Sequence, residues 1–339
     1  MTTSPGVAST HAPGWKGQYL LLGLIWGSSF FLIDAGLTFL NPSGVTFWRS
    51  LLGALTLSGL LLVRRTSFRI DRGTLLHLWI VALLLNVFPG LLFAFAQERV
   101  STVVASIVNT ATPIMTLVVM VALFRGERAT IRQVLGVFIG LGGALVALGV
   151  GEGGFGQNDP LGVIAIFGAI TCYAFAFPYA RKHALTRGHN SSRLATWQLI
   201  LAAVTLLPIY LASGTLMTAL PSVGAVIGFA VLGIVASGFA YIWNLNVVQR
   251  GGSAVASSVT YPILIVSLVI GWLIMGEPFT WNLPIGAALI VVGSAISQRG
   301  SMRLLTKLSR PSSVKIHRSP VERAAPLDPE PGKFASSER

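Results

Sequence analysis

Two charged residues interrupt the first two apolar runs of this chain: Asp34 and Arg49. They sit at similar distances from the turn at Asn41 and Pro42, so an ion pair between them is one expectation. A carboxylate held in an apolar run has a second use, since its proton affinity changes as its exposure changes. Asp34 is therefore read either as a proton-coupling group, with Arg49 as its partner, or as a structural or snorkelling end charge.

Polar and aromatic side chains in other runs offer hydrogen bonding rather than bond-breaking chemistry. In the third run Asn86, Gly90, Phe93 and Gln97 recur at helical spacing. Ser106, Asn109, Thr110 and Pro113 do so in the fourth, Ser237, Tyr241 and Asn244 in the eighth, and Ser257, Ser258 and Tyr261 in the ninth. Unpaired polar groups are costly at membrane depth, so convergence of several predicts a cavity that binds a solute. The residues expected in its wall are Asn86, Asn109, Tyr241, Asn244 and Tyr261, with Trp26 as an aromatic face. Each has a competing use, because Asn and Ser in membrane helices also bond neighbouring helices at about 0.6 kcal/mol apiece.

Catalytic constellations are not expected. Gly151, Gly153 and Gly156 fit a dinucleotide fingerprint but follow an apolar helix rather than a strand. The five histidines are scattered, none shares a helix face with a carboxylate, and a lone cysteine, Cys172, offers neither a disulfide nor a cysteine metal site. No catalytic residue, metal or cofactor is assigned, and the chain is read as not an enzyme. Asn190-Ser191-Ser192 is a formal glycosylation triplet on the side predicted to be cytoplasmic.

These residues need elements to hold them, and composition says which. Hydrophobic residues make up 53% of the chain and charged ones 10%, against roughly a quarter charged in soluble domains. Mean hydropathy is +0.74. Ten apolar runs, at about 18–38, 43–63, 74–96, 101–124, 131–150, 161–180, 194–213, 222–248, 253–275 and 281–298, approach the ~20 residues a helix needs to cross a bilayer. The runs are continuous rather than alternating, so the fold class expected is an all-α integral membrane protein of ten transmembrane helices.

All but two of the 24 Lys and Arg residues, Arg49 and Arg99, fall on one side if the N-terminus is cytoplasmic. That bias places both termini inside a plasma or inner membrane and accounts for the net charge of +13, so nucleic acid is not an expected partner. The expected divisions are a cytoplasmic segment 1–17, five-helix units at 18–150 and 161–298, and a disordered basic tail, 299–339, suited to anionic lipid headgroups. The sequence sets no oligomeric state.

The chain repeats itself. Gly126-Glu127 matches Gly276-Glu277, Gly136 matches Gly286 and Gly143 matches Gly293, each 150 positions apart, and Thr46 matches Thr196. Pro113 and Pro262 match at 149. Five spans per half is odd, so the second copy enters from the opposite face, giving inverted 5+5 repeats as in many secondary transporters. Glu127 and Glu277 are read as helix-end anchors, and the glycine stripes as close helix packing. Pro89, Pro113, Pro178 and Pro262 each free a backbone carbonyl, giving a kink, a hinge or a solute acceptor.

Trp26-Gly27-Ser28-Ser29-Phe30, Trp48-Arg49, the paired blocks ending at Glu127 and Glu277 and the Gly-rich spans after them resemble the drug/metabolite transporter superfamily, in its branch with two EamA domains. The resemblance covers about residues 18 to 298. It implies two inverted five-helix halves around a central cavity and transport of a small metabolite, usually outward, with no particular substrate; the leading reading is export of a small metabolite such as an amino acid. A multidrug exporter of lipophilic cations is the alternative; a membrane scaffold or intramembrane enzyme is the alternative of another class.

Overall fold

The computed structural model describes residues 14–123, 130–147, 159–214, 216–274, 276, 281–282, 284–286, 288–293 and 295–296. Glu127, Glu277, the Gly151–Gly156 segment and the 299–339 tail lie outside them. Every described element is a helix or a turn. Among the described residues, eight helices are long and apolar enough to cross a membrane: α1 (Trp15–Leu37), α2 (Pro42–Val63), α3 (Arg72–Gln97), α4 (Thr102–Met120), α6 (Pro160–Ala184), α7 (Ser191–Ala212), α8 (Val223–Gly251) and α9 (Ser253–Leu273). Two further apolar helices, α5 (Ile131–Ala147) and α10 (Pro284–Gly293), fall short of that length over their described residues. The all-helical membrane class stands, and over the described residues eight of the ten expected spans reach a membrane-crossing length.

Short polar side chains start these helices. Asn41, Asp71, Ser101, Asp159, Asn190 and Ser222 each accept a backbone N–H from the first turn they precede, relieving donors that have no intrahelical partner. Asn190, the head of the glycosylation triplet, is spent this way on Arg193 N at 2.8 Å. Asp71 also accepts from the Thr74 hydroxyl and from His189, and these bonds, Thr74 first, hold its carboxyl well below the usual range. The link between α8 and α9 is the single residue Gly252, at φ 92°, a conformation that disfavours any Cβ.

The outer faces carry leucine, isoleucine and valine, as at Leu20, Leu55, Leu62 and Ile164. The interior holds Thr46, Ser50, Asn86, Asn109, Gln198 and Asn244. This is the distribution a bilayer demands, because apolar side chains face lipid at no cost and polar ones need protein partners.

Helix pairing follows a rule. α1 packs on α9 as α6 packs on α4; α1 packs on α8 as α6 packs on α3; α2 packs on α8 as α7 packs on α3; and α2 packs on α7. Advancing every helix five places maps this set onto itself. The α5–α10 contact obeys the same rule at atomic detail. A Cβ on Gly143 would meet Gly286 O at 2.7 Å, and one on Gly293 would meet Gly136 O at 2.5 Å. Since 136 matches 286 and 143 matches 293, these are two copies of one backbone contact.

Candidate functional site

The repeat also governs how the central helices are broken. α4 is interrupted at Thr110–Ala111 and α9 at Ser258–Val259, each just before its proline. Across both breaks the backbone bonds tighten to three-residue spacing, as in Ala111 N to Val108 O and Val259 N to Ala256 O. In α3 and α8 the segments Leu83–Val87 and Leu232–Phe239 widen to π-helical bonding, a local irregularity often found at functional sites.

Each irregularity frees a carbonyl that a side chain then takes. Pro89 has no N–H for Leu85 O, which accepts from Tyr241 Oη at 3.2 Å. Asn109 O, freed by Pro113, accepts from Thr112 Oγ1 at 2.7 Å. Ser258 O, freed by Pro262, accepts from Tyr19 Oη at 2.8 Å. In the second π segment Ala240 N reaches back to Val235 O, and Ala236 O accepts from Trp26 Nε1 at 2.9 Å. Pro89, Pro113 and Pro262 thus make kinks whose freed acceptors are already used within the protein.

Between these helices lies a cavity enclosing about 680 Å³ of space free of protein atoms, its open mouth included. α1 contributes Trp26, Ser29, Phe30 and Ile33; α2 contributes Arg49; α3 contributes Leu85, Gly90 and Phe93; and α4 contributes Asn109. Tyr173 and Phe177 of α6, Tyr241 of α8, and Val259, Thr260 and Ile263 of α9 complete the wall. The rings are mutually fixed. Trp26 and Tyr241 meet edge to face with centroids 5.7 Å apart, and Phe30, Phe93 and Tyr173 form a chain at 5.8 and 6.0 Å.

Of the wall residues expected from sequence, Trp26, Asn109 and Tyr241 line this cavity; Asn86, Asn244 and Tyr261 do not. Asn86 Oδ1 instead accepts from Gln198 Nε2 of α7 at 2.6 Å. Tyr261 is 0% exposed and donates to Val137 O at 3.2 Å, its ring filling the space above Gly140. Asn244 is fully buried and meets no partner among the described residues. Gln97, on the same predicted face as Asn86, donates to Phe30 O at 2.9 Å.

The expected Asp34–Arg49 pair does not form. No ion pair joins them among the described residues, and Asp34 is absent from the cavity wall. Arg49 turns inward instead and donates from Nε to Ser237 Oγ of α8 at 3.0 Å. Equal distance from one turn fixed their depth and left their helix faces undetermined.

Tyr261→Phe separates packing from solute contact. It is expected to cost about 1 kcal/mol of stability through the lost bond to Val137 O and to leave solute affinity unchanged, as read by thermal unfolding beside a flux or binding assay.

The two halves of this arrangement are each matched by one family. The EamA-like transporter family matches residues 17–149 and again 160–298. The chain belongs to that family. It is thereby a multi-pass membrane protein of the drug/metabolite transporter superfamily, and residues 150–159, between α5 and α6, separate the two matched segments. Relatives bear transporter names. The uncharacterized inner membrane transporter YedA of Escherichia coli K12 is 26% identical over 77% of this chain and 83% of its own. The uncharacterized transporter YoaV of Bacillus subtilis is 25% identical over 80% and 91%. A solved crystal structure shares the fold, with a TM-score of 0.68 at 20% identity over 84% of this chain and 97% of that one.

Proposed function

We propose that this EamA-family chain is a secondary transporter that exports a small metabolite, such as an amino acid, by alternating access. The observation that carries the reading is the cavity itself, whose wall draws α1, α3 and α4 from the first matched segment and their counterparts α6, α8 and α9 from the second. Two halves that pair by one repeated rule can rock about a shared site, opening it to one side and then the other. The matched breaks before Pro113 and Pro262 supply places where α4 and α9 can bend. Counting α5 and α10 as spans gives ten helices in two inverted sets of five, with both termini cytoplasmic by the Lys and Arg bias.

A lipophilic-cation exporter gains no support from the wall, which has a guanidinium and no carboxylate. An enzyme would need a nucleophile beside a base, and among the described residues no histidine, lysine or carboxylate stands beside the wall hydroxyls of Ser29, Thr260, Tyr173 and Tyr241.

Reconstitution of the full chain into liposomes tests the proposal. Flux of at least one solute is expected from a panel of amino acids, purines and cationic dyes under imposed proton and solute gradients. Movement of no solute under any gradient would overturn it.

A further inference from the structure

Among the described residues Arg49 is the one charged residue in the cavity wall, and its surroundings leave it unfinished. Its Nε is held by Ser237 Oγ, midway along α8, which fixes the plane of the guanidinium. No described residue accepts from Nη1 or Nη2. Four acids are described, and three serve elsewhere: Asp71 bonds Arg187 and His189, while Glu98 and Asp159 bond Arg99. The fourth, Asp34, makes no ion pair with Arg49.

A cation seven residues inside α2, roughly 10 Å along the helix axis, is costly without a counter-charge. We infer that the solute carried in this cavity bears a carboxylate on an apolar body, and that Arg49 binds that carboxylate. This rests on the transporter reading above and names its substrate class.

Charge count selects carboxylate over phosphate. One guanidinium neutralises one negative charge, and its paired Nη donors match the two oxygens of a carboxylate. A doubly charged phosphate would stay uncompensated, since no second cation lines the wall. The repeat offers no second site either, because the position in α7 that matches Arg49 is Leu199, which is fully buried. The rest of the solute meets rings, with neutral donors at Asn109 and Tyr173. Asn109 Oδ1 accepts from Thr112 Oγ1, and neither Asn109 Nδ2 nor the Tyr173 hydroxyl has a partner among the described residues. Among the described residues no acid lines the wall to receive an ammonium or phosphonium centre.

Four probes test this on purified full-length protein by ligand-induced thermal stabilisation: 3-phenylpropanoate, phenylalanine, phenethylamine and tetraphenylphosphonium. The first three share a ring and differ in charged groups. Stabilisation by one or both carboxylates, and not by the amine or the phosphonium, is expected. Binding of 3-phenylpropanoate assigns simple organic acids to the site; binding of phenylalanine alone assigns zwitterions. Arg49→Gln should weaken carboxylate binding about tenfold or more, and Arg49→Lys should keep the preference for acids at lower affinity. Equal stabilisation by the amine or phosphonium, unchanged affinity in Arg49→Gln, or no carboxylate binding would each overturn the inference. The wild-type panel and Arg49→Lys decide the matter even where Arg49→Gln fails to fold. Liposomes that carry some other solute while no carboxylate binds would defeat this inference alone; liposomes that carry nothing would defeat the transporter reading.

Discussion

Gly27→Leu is expected to abolish flux and sharply reduce the yield of folded protein. A Cβ on Gly27 would lie 2.5 Å from Val266 Cβ and 2.8 Å from Ile263 O, and one on the neighbouring Gly23 would lie 2.6 Å from Pro262 Cβ. α1 and α9 are therefore in near-backbone contact, sealed by Ser267 Oγ donating to Gly27 O at 3.0 Å. The carbonyl of Ile263 cannot step aside as a flexible side chain would. Forcing carbon atoms into such a seam costs typically 1–3 kcal/mol, and more where backbone is met. A functional loss accompanies the cost, because pushing α1 away moves Trp26 from Ala236 O and opens the wall. Gly59→Leu on α2 is the control, since a Cβ there meets nothing within 4 Å. Thermal midpoints and monodisperse yields of the two variants make the comparison; equal behaviour would refute the close α1–α9 seam.

The membrane class was legible because long apolar runs have few other uses, and the pairing of halves because glycines that touch backbone to backbone cannot be replaced freely. Gly136, Gly143, Gly286 and Gly293 carried that signal and proved to be one contact written twice. The site was harder to read. Helical periodicity assumes an unbroken helix, and α9 breaks at Ser258–Val259. The break turns its inward face from Ser257, Ser258 and Tyr261 to Val259, Thr260 and Ile263. Asn86 and Gln97 share the α3 face of Gly90 and Phe93, yet their amides reach α7 and α1. Sequence shows that such an amide needs a partner and not whether the partner is protein or solute.

Tyr173 and Phe177 went unread for a different reason. They lie four apart on α6, which is an aromatic pair at helical spacing. In a membrane chain that spacing resembles any lipid-facing stripe, so only packing against Phe93 distinguishes it. Arg49 shows its charge in the sequence but not its partner, because its contact, Ser237, is 188 positions away.

The proposed transport carries solute through the cavity between the halves, and one engineered thiol tests it. Cys172 is the sole native cysteine, so Cys172→Ser gives a thiol-free chain into which Thr260→Cys places one sulfur in the wall. Thr260 sits just after the α9 break, and its hydroxyl donates to Ser257 O at 3.1 Å. Labelling this variant in liposomes with a bulky methanethiosulfonate should abolish flux, and transported solute present during labelling should slow the reaction. Fully labelled protein that still carries solute at the unlabelled rate would contradict the account.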